Sequence, residues 1–131
     1  MPLLYSIDGS LVRVVAIDRL SLEETVQFTD ALLADPDFGA TADLLVDASR
    51  GRPSLSYAEL RITATRWATV VGRVRRIVIV APSDVIYGVA RAFQCFAECA
   101  GLTCKVFRTM AEAKAWLGGE VLTGTAELSR R

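Results

Sequence analysis

RRIVIVAPSDVIYGVARAFQCFAECAG, residues 75–101, decides how the rest of the chain is read. Ile77, Val78, Ile79 and Val80 are four β-branched residues in a row. A continuous apolar run of this kind suits a strand buried on both faces. Pro82 ends the run, and Ser83 is of the type that caps a helix N-terminus. Ile86, Val89, Ala90, Phe93, Ala97 and Ala100 then recur at helical spacing until Gly101. A buried strand feeding directly into an amphipathic helix is half of a parallel strand–helix–strand unit.

Working outward, the pattern repeats. Toward the N-terminus, TYR-bearing segment "YAELRITATRWATVVG" places Tyr57, Leu60, Ala64, Trp67 and Val71 on one helical face ended by Gly72. "ADLLVDAS" before it is a short buried strand, since Leu44, Leu45 and Val46 are consecutive. "SLEETVQFTDALLAD" is a helix opened by the Ser21/Glu24 capping box, with Leu22, Val26, Thr29 and Leu33 on one face, and Asp35-Pro36 stops it. At the start, "LLYSID" and "LVRVVAI" flank Asp8-Gly9-Ser10, a hairpin signal because Gly supplies the positive φ of the turn. Toward the C-terminus, "CKVF" is a fifth strand, and Thr109 with Glu112 caps a last helix carrying Met110, Ala113, Trp116 and Leu117.

The predicted order is therefore ββαβαβαβα, an α/β domain of about five strands and four helices. The sheet is mixed, with an antiparallel hairpin at one edge and parallel strands after it. One domain spans residues 1–118, and residues 119–131 form a tail of uncertain order. Trp67 and Trp116 are expected in the core.

Composition narrows the function. The 131 residues suffice for one unstapled core. No apolar run approaches the roughly 18 to 20 residues of a membrane span. The N-terminus lacks a basic region followed by an apolar core, so a cytoplasmic location is expected. The chain has three cysteines and no histidine, which removes Ser-His and Cys-His catalysis and leaves a zinc site short of ligands. No metal, cofactor or catalytic residue is expected, and the three cysteines are read as buried structural thiols. Net charge is zero but unevenly spread. Residues 1–49 hold nine acids and two arginines, and residues 50–76 hold seven arginines and one glutamate. Such a split suits an anion site, complementary self-association or solvated helix faces. Without an aromatic platform or a recognised module, nucleic-acid binding is not expected.

The residues themselves resemble a known family. "LVDAS", "VIVAPSDVIYGVARAF" and "KVFRTMAEAKAWL" look like the small bacterial SpoIIAA-like, or STAS/SEC14-like, proteins. Tyr87, Gly88 and Arg91 match a YG-x-x-R helix, and Val106, Phe107, Glu112, Ala113, Trp116 and Leu117 match the family's ending. The resemblance implies a STAS-like fold and a non-enzymatic regulatory or protein-interaction role. The SEC14-like side of it implies a small carrier or sensor of an apolar or anionic ligand instead.

In the related anti-sigma-factor antagonists, a serine after the third strand is phosphorylated. Ungapped, Ser56 falls on that position, but Leu55 stands where those proteins have Asp and Ala58 where they have Gly. The other reading is that Ser54 or Ser56 caps the second helix. The candidate anion-binding or regulatory loop comprises Asp47, Ser49, Arg50, Arg52, Ser54 and Ser56, with Ser83 and Asp84 near the same rim. The helix over 83–101 adds a second candidate. Val85, Gly88, Ala92, Cys95, Phe96 and Cys99 continue its apolar arc beyond the core stripe. Cys95, Phe96 and Cys99 are expected to meet a neighbouring helix, a second copy of the chain in a homodimer, or a bound apolar molecule.

Overall fold

The structure is a computed structural model that describes residues 3–39, 41–52, 54–69 and 73–125. Its elements run β1 (Leu3–Asp8), β2 (Leu11–Arg19), α1 (Leu22–Ala34), β3 (Ala42–Arg52), α2 (Tyr57–Ala68), β4 (Val74–Val80), α3 (Asp84–Cys99), β5 (Cys104–Phe107) and α4 (Met110–Thr125). The order is the one the periodicity predicts. The five strands lie in the sheet in the order β1-β2-β3-β4-β5. β1 pairs with β2 antiparallel, and every later neighbour is parallel. Gly9, at φ 62°, makes the hairpin turn where a side chain would be strained.

Alternation along β3 and β4 divides the core in two. Leu44, Ile77 and Ile79 face one layer, where they meet Phe28 and Leu32 of α1, Leu60 and Trp67 of α2, and Phe93 and Ala97 of α3. Leu45, Val78 and Val80 face the other side, where Ala113 and Leu117 of α4 cover them. This is why the β4 run has no polar position between Ile77 and Val80. Both of its faces are covered.

Several local readings shift. The buried side of α1 is Thr25, Phe28, Thr29 and Leu32, so Leu22, Val26 and Leu33 flank the core rather than fill it. Thr25 and Thr29 tolerate burial because each hydroxyl donates to a carbonyl of its own helix. Tyr57 is 70% exposed, since it is the first residue of α2 and precedes the buried turn. Val71 and Gly72 lie outside the described residues. β3 does not end near Ser49 but continues to Arg52, because Ile17, Asp18 and Arg19 of β2 supply a ladder for Arg50, Gly51 and Arg52. A register shift between Val15 and Ile17 absorbs the extra residue on β3. α4 runs through position 118 to Thr125, and residues 126–131 lie outside the described residues.

The uneven charge is partly settled within the chain. The Asp43 carboxylate on β3 accepts from Arg75 at 3.2 Å and from Arg76 at 2.6 Å, both on the adjoining β4. Arg76 is buried and lies 5.0 Å over the Trp116 ring. Arg66 pairs with Asp30, and Arg73 donates to the carbonyls of Leu33 and Phe38. Four of the middle-block arginines are thus spent on the acidic half or on its backbone. Burial alone would push the Asp43 carboxyl up. The hydrogen bonds and charges of Arg76 and Arg75 overcome it and hold the group below its ordinary value.

Candidate functional site

Between the sheet and its three-helix layer lies a cavity of about 190 Å³. Its floor is Val14 and Ala16 of β2, Leu44, Val46 and Ala48 of β3, and Ile77 and Ile79 of β4. Phe28, Leu60, Trp67, Ile86, Val89 and Phe93 close it from the helix side. The space exists because Ala16, Ala48, Gly51 and Ala90 stand at facing positions where larger residues would let the layers touch. Its wall is apolar almost throughout. Even its two inner hydroxyls, Thr25 and Thr63, donate to the carbonyls of Leu22 and Glu59 and sit 3.4 Å apart. Trp67 stands 6.0 Å from Phe28, which in turn meets Tyr5 edge-on at 5.6 Å.

The exposed lining residues, Asp18, Arg52 and Ser54, put its opening at the carboxyl ends of β2 and β3, the end of a parallel sheet where ligands bind in open α/β folds. Asp18, Leu20, Gly51, Arg52, Ser54 and Leu55 border this opening. Asp18 is held at φ 57°, a left-handed conformation uncommon for a residue with a side chain. The Ser54 hydroxyl bridges to Leu20, accepting from its N–H and donating to its carbonyl, and so ties the entry of α2 to the exit of β2.

The candidate loop residues separate into different roles. Asp47, Ser49, Arg50 and Arg52 belong to β3 and not to a loop. The Asp47 carboxylate accepts from the Ser49 N–H and hydroxyl, a local turn. Ser56 is the cap of α2 and Ser54 is not. Ser56 Oγ accepts from the Glu59 N–H, and the Glu59 carboxylate accepts from the Ser56 N–H. Ser83 caps α3, while Asp84 pairs with Arg108 at 2.7 Å. Arg108 also lies 4.0 Å over the Tyr87 ring. Only Arg52 and Ser54 of the six reach the cavity opening. Asp18 and Leu20 were not expected there; their signal was an Asp-Arg-Leu sequence that ends a strand without a turn former.

On α3, Ala90, Phe93 and Ala97 are buried, and Ile86 and Val89 face the cavity. Phe96 is half-buried against the same core, but Cys95 and Cys99 are exposed, as is Val85 at 63%. The expectation of three buried thiols therefore holds only for Cys104, because Cys95 and Cys99 lie on the outer side of α3. Burial pushes the Cys104 thiol up to about 12. Among the described residues, no three His, Cys, Asp or Glu side chains gather closely enough to hold a metal ion. Nor, among them, is any helix long and apolar enough to cross a membrane.

A mixed sheet with this strand order, covered by helices on both faces, is a SpoIIAA/STAS-like α/β domain. The SpoIIAA-like family model matches residues 11–118, and the chain belongs to that family. An uncharacterised protein of the DUF3478 family from Shewanella loihica PV-4, whose crystal structure has a SpoIIAA-like fold, is similar in structure with a TM-score of 0.59. The two chains are 17% identical, and the similarity covers 88% of this chain and 91% of that one. No curated protein matches the chain.

Proposed function

We propose that this chain is a non-enzymatic binding module that holds a small apolar ligand in the cavity between its sheet and helices. The observation that carries this reading is the apolar wall from Val14 to Phe93 around about 190 Å³ of space. A cavity of roughly 150 Å³ with such a lining stays dry and takes up apolar molecules. Water gains little there, since the inner hydroxyls already have carbonyl partners. The opening at the strand carboxyl ends supplies a route in.

Trp67 lines the cavity, whereas Trp116 is on the opposite face of the sheet. In a Trp116→Phe background, titration with an apolar dye such as N-phenylnaphthylamine therefore reads the cavity through Trp67 emission. Binding that is lost on Ala48→Ile, with an unchanged or higher melting temperature, supports the reading. Equal binding by the filled variant overturns it.

The outer side of α3 favours a second reading, a regulatory module that meets another protein or a second copy of the chain. Val85, Cys95 and Cys99 are its exposed apolar residues. Light scattering across a concentration series checks the homodimer. A mass halved by Val85→Lys supports it, and a monomer at every concentration removes it.

A further inference from the structure

We propose that Cys95 and Cys99 form a two-thiolate site for a soft monovalent cation, Cu(I), on the outer side of α3. The site is separate from the cavity and does not depend on it.

Spacing makes the pair a site for an ion and not for a disulfide. The two cysteines stand four residues apart near the C-terminal end of a 16-residue helix, and both are exposed. Residues so spaced share one helical face, with Cβ atoms about 5–6 Å apart. Long-axis rotamers on a helix point back toward its N-terminus, so the Cys99 side chain leans over the turn that carries Cys95. A disulfide needs Cβ atoms about 3.5–4.5 Å apart, and the helix holds this pair wider than that. One metal ion between the sulfurs suits the wider gap. Two metal–sulfur bonds of about 2.3 Å in line span about 4.6 Å.

The donor set selects the ion. Thiolates favour soft cations, of which Cu(I) is one. Among the described residues no third His, Cys, Asp or Glu gathers with the pair, so the ion has to be satisfied by two donors. Cu(I), with its filled d shell, accepts two thiolates in line, whereas Zn(II) asks for four ligands. Cys104 is buried on β5 and cannot join. Arg91 and Glu98 flank the pair on α3, and each is engaged with a neighbour. Arg91 donates to the Tyr87 hydroxyl at 3.4 Å, and the Glu98 carboxylate accepts from Gln94 at 3.4 Å. The partial negative charge of the helix C-terminus favours a bound cation. Binding releases one proton from each thiol to solvent and forms two copper–sulfur bonds. The complex carries a net charge of −1, and no electron is transferred.

The test titrates the reduced protein with Cu(I) under anaerobic conditions, with bicinchoninate as the competing chelator. One Cu(I) per chain is expected. The bound ion should protect both exposed thiols, so that iodoacetamide labelling in native buffer falls from two cysteines to none. Cys95→Ser and Cys99→Ser are each expected to weaken binding about a hundredfold or more, the gain that tethering two donors supplies. Both positions are exposed, so the circular dichroism of these variants should match the parent's. Zn(II) in the same titration should leave both thiols open to labelling. Cu(I) held as tightly by the Cys95→Ser/Cys99→Ser double variant overturns the site, as does a parent whose labelling Cu(I) leaves unchanged. One ion per two chains overturns a site within one chain, and equal protection by Zn(II) overturns two-donor coordination. The dye titration of the cavity through Trp67 is unaffected by any of these outcomes.

Discussion

The Ser54 side chain and the Leu20 backbone form a closed pair. One hydroxyl accepts from the Leu20 N–H and donates to its carbonyl across a separation of 34 residues. The contact joins two chain segments at the cavity opening, where neither is otherwise held by the sheet ladder.

Ser54→Ala removes both hydrogen bonds at an exposed position. A loss of about 1 kcal/mol in urea denaturation is expected. Dissociation of a cavity-bound dye is expected to quicken in the same variant, as the border loosens. An unchanged midpoint and an unchanged release rate would show that the bridge contributes nothing.

Ser56 behaves as a cap. Ser56→Ala is expected to cost about 1 kcal/mol. Ser56→Asp keeps an acceptor for the Glu59 N–H but sets a second carboxylate against that of Glu59, so it recovers only part of the loss. A phosphate at this position would meet the same glutamate. Thermal denaturation of the two variants separates this account from one in which the serine is neutral to stability.

Asp43 governs the acid side of the stability curve. Its carboxyl is held below the ordinary value in the folded protein, so its contribution is complete above about pH 4 and is lost as pH falls through the folded-state value. Asp43→Asn is expected to cost about 3 kcal/mol at neutral pH, since it takes the carboxylate from buried Arg76. The variant's stability should then fall less steeply than the parent's below pH 4. Parallel curves for the two proteins would refute the assignment.

The thiols divide by position. Cys95 and Cys99 are exposed and should react with iodoacetamide in the folded protein. Cys104 is 0% exposed, and its raised pKa leaves almost no thiolate near neutrality. Mass spectrometry should count two labels in native buffer and three in denaturant. A third label in native buffer would contradict the placement of β5.

Where the sequence was readable, each element carried its own signal. The β-branched run of β4, the Asp8-Gly9 turn and the Ser21/Glu24 box needed no partner to be recognised. The segment after Val46 did need one. Ser49-Arg50-Gly51-Arg52 is polar and resembles a loop, and it becomes strand only because Ile17, Asp18 and Arg19 lie beside it. The cavity was hidden for a similar reason. Ala16, Ala48 and Ala90 come from three different elements, and none of them alone departs from an ordinary small core residue. Helical spacing marked Ile86 and Val89 as inward-facing, but spacing says nothing of whether the opposite layer reaches them.

The strand order has a consequence for how the chain is made. Each strand's preceding neighbour in the sheet is also the one before it in the chain, from β1 through to β5. A ribosome therefore releases every strand after the template it must join, and no gap has to be held open for a later insertion. Assembly can proceed from the first hairpin outward during synthesis, with α4 closing the far face last.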